Sequence, residues 1–470
     1  MVEAREADVQ CMRTPRPRPN WRALVRLQGL VYNELPRLPG YSYWAGDERY
    51  AAMRTADIDA LVVASEAIFA MLIKAGDYIA ERPDFMRRMG IPDWAIPMVL
   101  KTWEDDPVVS VLATTDWAFG GVDHPDPAYR TPRLYEINAD AAGGLPETGY
   151  VQWEWLRQTN TGIDQYNLIG PRLIEAWRRN GQVLKQRLGH KPDIYFAYSR
   201  LDESGEDMMN TLYIADMCQQ AGLTVHVVQI EDIALGEDGR FYDQSGAHIE
   251  VCFKFYPWEM IIQDEFGKAA FDDMASAGGT IWIEPPWKML WNKAVLVALW
   301  ELYGSDPDKN RYLIPTYFDG EQPSEWRDYV RKPVNGHQGS NILMMRDGKI
   351  IHETGGEYSN GPFVVQQLVL PPQFSCDDER NPYWLCKVFV VDGQASGLGI
   401  LETDSPVTDD DSHLIPHCVV GSERTFSPTD APYVPIQDTV TTVYVPQDTA
   451  SKPTDIPPTR GSIPETRRET

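Results

Sequence analysis

Positive charge is scarce in this chain. Across 470 residues, Lys plus Arg number 43 against 69 Asp plus Glu, a net charge of -26. A surface that acidic repels a phosphate backbone, which argues against nucleic-acid partners and against an anionic membrane face. Cysteine is scarce too. The six residues Cys11, Cys218, Cys252, Cys376, Cys386 and Cys418 lie far apart, and no pair is spaced like a zinc knuckle. Scattered thiols fit a reducing, cytoplasmic setting, each as a small buried hydrophobe. No apolar run approaches the roughly 20 residues that a spanning helix needs. The opening MVEAREADVQ has no apolar signal core. Also missing are GxxxxGK followed by Ser or Thr, a GxGxxG opening a helix, HExxH and GxSxG. P-loop NTPases, dinucleotide-binding dehydrogenases, zincins and α/β-hydrolases lose ground accordingly.

What is present is a hydrophobic fraction of 43%, enough for a large core. Residues 1–20, ending in Arg13-Thr14-Pro15-Arg16-Pro17-Arg18-Pro19, read as a flexible leader with nothing to bury. Residues 421–470 carry eight Pro and ten Thr, and read as a disordered tail that cannot offset its ordering entropy. The folded body is then residues 21–420.

Within the body the hydrophobic period keeps changing. Ile58, Leu61, Val62, Ser65, Ile68, Phe69 and Leu72 follow helical spacing, and the stretch Lys288–Tyr303 does the same. Short β-rich runs are expected at 108–112, 133–138, 194–198, 223–230, 249–256 and 280–283. Beyond residue 312 strands dominate. Asp347-Gly348 and Asp392-Gly393 sit between apolar runs and predict hairpins. Mixed units of this kind indicate an α+β or mixed α/β fold.

Two clusters carry chemistry. Alternation along Leu134–Asp140 puts Glu136 and Asn138 on one strand face, and Asp116 joins them if the preceding strand pairs as a hairpin. Two carboxylates and an amide oxygen are hard ligands suited to Mg²⁺. An ordinary solvated strand face explains the same spacing. The second cluster is basic. Lys293 follows Trp291-Asn292, and Lys332 precedes a Gly-rich turn at Gly336, Gly339 and Ser340. Such a turn can present N–H groups to phosphate beside a lysine point charge. A plain loop with a surface lysine is the other explanation.

Several strings occur together and in one order: Tyr135-Glu136-Ile137-Asn138-Ala139-Asp140, Phe253-Lys254-Phe255-Tyr256-Pro257-Trp258-Glu259, Glu284-Pro285-Pro286-Trp287-Lys288, Asn292-Lys293, Val330-Arg331-Lys332-Pro333, Gly339-Ser340-Asn341-Ile342, Thr354–Tyr358, Val365-Gln366-Gln367-Leu368 and Ile415-Pro416-His417. This ordered set resembles the glutathionylspermidine synthase family of ATP-grasp ligases over about residues 21–420, without the amidase domain fused to some members. The resemblance implies an ATP-grasp fold preceded by a pre-ATP-grasp region. It implies ATP and Mg²⁺ as cofactors, and a carboxylate–amine ligation through an acyl phosphate. The partners are then a small-molecule carboxylate and an amine, a peptide and a polyamine among the candidates. By match, Asp116, Glu136 and Asn138 are magnesium ligands, and Asp116 also belongs to the ATP site. Lys293, Lys332, Gly339 and Ser340 meet the phosphates. Gln366, Gln367, Leu368 and Val369 form the hinge strand beside adenine. Glu206 and Asp207 fall where the family holds a peptide amino end.

Two single positions and one short stretch depart from the family pattern. Thr114 stands where an arginine precedes the first magnesium ligand, and Leu401 where a late arginine stabilises the transferring phosphoryl. Ala141, Ala142 and Gly143 replace a hydroxyl-bearing stretch. Removing one such donor commonly costs on the order of 10²–10³ in rate. A working enzyme therefore needs a replacement cation, and Arg130, Arg133 and Arg200 are the expected catalytic substitutes, Arg130 first. The departures leave substrates other than glutathione and spermidine open. They also leave open a non-catalytic nucleotide-binding regulatory or scaffold role.

Overall fold

The structure, a computed structural model, describes residues 9–35, 37–105, 111–336, 339–376, 380–409 and 411–420. The tail expected at 421–470 lies outside these residues. The mixed α/β fold is as expected, and three of its sheets frame the site.

One sheet is parallel. Ile281–Ile283, Val251–Phe255, Asp193–Tyr198 and Thr224–Gln229 lie side by side in that order. Val251–Phe255 is buried along its whole length, as expected for a parallel strand covered on both faces. The helix Glu206–Gln220 packs against this sheet and against the helix Ile169–Leu188.

Two five-stranded sheets are antiparallel. The first runs Thr316–Phe318, Phe363–Gln367, Tyr329–Pro333, Leu343–Arg346, Lys349–Glu353. The second runs His413–Ile415, Gln394–Thr403, Tyr383–Val391, Leu112–Ala118, Arg133–Asn138. Both predicted hairpins are present. Asp347, Gly348, Asp392 and Gly393 take φ of 52°, 71°, 51° and 75°, the paired left-handed turn that matches strand twist.

The helix Thr55–Ala80 buries Ile58, Leu61, Ala64, Ile68, Met71, Leu72, Ala75 and Ile79, the three-and-four spacing of one apolar face. It packs against the helix Val295–Tyr303 and the second antiparallel sheet. The continuous helix expected over 288–303 is broken. Pro286–Trp291 is a 3₁₀ turn, Asn292 is extended, and the α-helix starts at Val295. Most of the strand expected at 108–112 lies outside the described residues. The observed strand is Leu112–Ala118, so Asp116 lies inside it.

Residues 9–20 differ from the expected leader. Gln10–Arg13 pairs antiparallel with Arg49–Met53. The Arg18 guanidinium lies buried against Asp47, with Nη2 2.7 Å from Oδ2. Cys11 is disulfide-bonded to Cys376 across 365 residues of sequence. Those two cysteines are therefore not inert hydrophobes, whereas Cys218, Cys252, Cys386 and Cys418 are free and buried. Among the described residues no helix is long and apolar enough to cross a membrane.

Candidate functional site

A cavity lies between the two antiparallel sheets. One wall supplies Asp116, Glu136, Trp384, Leu385 and Thr403; the other supplies Val330, Lys332, Met344, Gln366 and Gln367. Lys293 enters from the extended segment ahead of the helix Val295–Tyr303.

Pairing register sets the polar end. Asp116 stands directly opposite Glu136, and Thr114 opposite Asn138. Directly opposed residues share a sheet face, so the three proposed oxygen ligands are neighbours. Asn138 Nδ2 lies 3.4 Å from Asp116 Oδ2. Asp116 Oδ1 is buried and has no hydrogen-bond partner. Burial pushes the Asp116 carboxyl up to about 6; Lys387 opposes that rise and Glu136 adds to it. At Glu136 burial also pushes upward, but Lys293, Lys332 and Lys387 outweigh it and leave the carboxyl below its ordinary value.

The lysines face these carboxylates. Lys293 Nζ lies 3.7 Å from Glu136 Oε2. Lys332 Nζ donates to the Tyr135 carbonyl at 2.9 Å. Burial lowers Lys332 to about 8, against the pull of Glu136.

The expected loop and hinge residues border the same cavity in part. Gly339 and Ser340 line it. At Gly339, φ is 69° and a Cβ would come 2.6 Å from the Thr408 carbonyl oxygen, so a larger residue is excluded. His337 and Gln338 of this loop lie outside the described residues. Gln366, Gln367 and Val369 line the cavity, whereas Leu368 does not; its N–H donates to the Asp328 carbonyl.

Glu206 and Asp207 open the helix Glu206–Gln220 and do not line this cavity. A Cβ on Gly143 would lie 3.3 Å from Glu206 Oε1, so the backbone at the Ala141–Gly143 departure runs past this carboxyl. Nearby Glu147 accepts hydrogen bonds from the Tyr32 and Tyr43 hydroxyls at 2.7 and 2.8 Å. Burial pushes Glu206 up to about 8, helped by Glu147, Asp207 and Asp202.

The three arginines expected to replace the lost cation do not line the cavity. Arg130 donates to the carbonyls of His124 and Pro125, Arg133 to Leu313, and Arg200 pairs with Glu231 and Asp232. Each guanidinium is committed to these acceptors. Lys387 does not line the cavity either, but it stands opposite Asp116 on the neighbouring strand Tyr383–Val391, with Nζ 4.0 Å from Asp116 Oδ1. A signal for it existed: Lys387 is the lone charge in the nine-residue run YWLCKVFVV.

The family model "Glutathionylspermidine synthase preATP-grasp" matches residues 12–420. A Haemophilus influenzae protein named "Putative acid--amine ligase" is 31% identical over 412 residues, covering 83% of this chain and 95% of that one. Trypanothione synthetase of Crithidia fasciculata is 25% identical over 70% of this chain and 50% of its own length. The Escherichia coli bifunctional glutathionylspermidine synthetase/amidase is 22% identical over 85% of this chain and 62% of its own. A glutathione synthetase-like effector from Globodera pallida superposes with a TM-score of 0.49 at 11% identity, covering 86% of this chain and 99% of that one. The chain belongs to the glutathionylspermidine synthase preATP-grasp family.

Proposed function

With that membership as premise, we propose that the chain is an ATP- and Mg²⁺-dependent carboxylate–amine ligase. The observation that carries this reading is the inter-sheet cavity, with Lys293 and Lys332 facing Asp116 and Glu136 at its polar end. The apolar walls, Val330, Ile342, Met344 and Leu385, suit a purine. The lysines suit phosphates, as charge-assisted donors in a partly dry site. Cytoplasm, where ATP is at hand, belongs to the same reading; the Cys11–Cys376 disulfide is the observation against it.

The oxygen set fits a hard cation. Among the described residues no group of three or more His, Cys, Asp or Glu could hold a metal by itself. Magnesium, however, is ordinarily held by one or two carboxylates together with substrate phosphates. Asp116, with its unpartnered buried oxygen, and Glu136 and Asn138 are the residues that would hold it. When bound, the ion would neutralise phosphate charge and orient the transferred group.

In this proposal the substrate carboxylate attacks the γ-phosphorus of ATP and ADP leaves. The resulting acyl phosphate is opened by the amine, which forms the amide and releases phosphate. The protein contributes positioning and charge rather than bonds. Glu206 and Asp207 are the groups assigned to the cationic end of a substrate.

A second reading is a nucleotide-binding protein without ligation. Thr114 and Leu401, and the outward commitments of the three arginines, favour it. An ADP-release screen over pairs of carboxylic acids and amines with Mg²⁺ separates the two. Acid- and amine-dependent ADP release is expected. Tight ATP binding with no release from any pair would leave the second reading standing.

A further inference from the structure

Lys387 is not used by any motif, yet its placement is specific. In the register of the second antiparallel sheet it stands directly opposite Asp116, and Asp116 directly opposite Glu136. The three side chains thus form one row across three strands, on one face. Lys387 Nζ lies 4.0 Å from Asp116 Oδ1, and the side chain is 20% exposed. On the other flank stands Gly399, which has no side chain to crowd the ammonium. A lysine in an otherwise apolar strand is costly to bury unless its charge is used.

The row also joins the two halves of the site. Gly399, opposite Lys387 on the other flank, packs against Thr148, where a Cβ would come 2.9 Å from the hydroxyl oxygen, one residue from Glu147. The row therefore runs from Asp116 and Glu136, at the proposed phosphate site, toward the segment that carries Glu147. That is the junction where charge would develop during transfer.

We propose that Lys387 is a catalytic residue, the cation that faces the transferring phosphoryl group and the attacking carboxylate in place of the positions now held by Thr114 and Leu401. The proposal rests on the ligase reading above. In the step it serves, a carboxylate oxygen forms the new bond to the γ-phosphorus. The bridging P–O bond breaks, and ADP carries away its electron pair. Lys387 keeps all its protons and supplies charge only.

The test uses Mg·ADP and aluminium fluoride, a stand-in for the transferring phosphoryl group, with binding read by calorimetry on the full chain. Wild type is expected to bind Mg·ADP and to bind it more tightly when aluminium fluoride is present. Lys387→Ala should keep its Mg·ADP affinity and lose about 10- to 100-fold of that tightening, the scale of one charge-assisted bond. Lys387→Arg should regain most of it. Lys387→Gln, of similar length, repeats the test should the alanine variant unfold, as judged by its melting temperature. Undiminished tightening in the alanine and glutamine variants would overturn the assignment, as would equal loss of Mg·ADP itself. Wild type that binds Mg·ADP but shows no tightening also overturns it. Wild type that does not bind Mg·ADP instead overturns the ligase reading.

Discussion

The Lys293 ammonium lies 3.7 Å from the Glu136 carboxylate, yet its hydrogen bond goes to the Gly336 carbonyl, at 2.7 Å. The lysine is thus held by the loop it serves and turned toward the carboxylates, with donors left for a phosphate. Lys332 is held in the same manner, by the Tyr135 carbonyl one residue from Glu136.

Both lysines should therefore matter to nucleotide affinity. Lys293→Ala and Lys332→Ala are each expected to weaken ATP binding by about 1.5–3 kcal/mol, the range for hydrogen bonds to charged groups. Calorimetry checks it. Wild-type affinity in both variants would remove the lysines from the site.

The Glu206 carboxyl gives a pH signature. Its folded value of about 8 lies above the ordinary 4.5, so it holds a proton at neutral pH. Glu147, Asp207 and Asp202 raise it and Lys387 lowers it. A cationic amine seated there must displace that proton. Affinity for spermidine, used as the probe, should rise roughly tenfold per pH unit between about pH 6.5 and 8, then level off. Glu206→Gln should abolish the slope. A flat profile in wild type would disconnect this carboxyl from amine binding.

Acid stability should depend on His417. The ring is fully buried, and its Nε2 accepts from the Tyr166 N–H at 2.9 Å. Burial depresses it from 6.5 to about 3. A folded value below the unfolded one means the contribution is whole above about pH 6.5 and is lost as the pH falls toward 3. From this group alone, stability should drop by about 2 kcal/mol between pH 7 and pH 5. Urea titrations at the two pH values measure it, and His417→Gln should show a drop smaller by that amount.

The Cys11–Cys376 bridge closes a loop of most of the chain, its ends 365 positions apart. Cys11→Ser or a reductant should lower stability by about 2–4 kcal/mol. Thermal melts with and without reductant provide the measurement. A melting temperature indifferent to both would show that the bridge adds nothing to the fold.

Local pattern carried much of this molecule. The helix of Ile58, Leu61 and Ile68 was legible because a 3.6-residue period needs only neighbours. Both Asp-Gly hairpins were legible because the turn demands left-handed backbone at two adjacent positions. Glu136, Asn138, Lys293 and Lys332 stood in strings, so their grouping could be expected before any contact was seen.

What lay beyond the sequence is whatever depends on which strand meets which. Lys387 and Asp116 are 271 positions apart and become neighbours through one antiparallel register. Cys11 meets Cys376, and Arg18 meets Asp47, only once the first strand is laid against Arg49–Met53. The arginines meet other acceptors for the same reason, since chain proximity to Glu136 says nothing about which acceptor a guanidinium reaches. Composition and period determined the elements and the ligand types. Tertiary pairing alone decided which charges share a face, because strand register is chosen by the packing of the whole core and leaves no mark in a short window of residues.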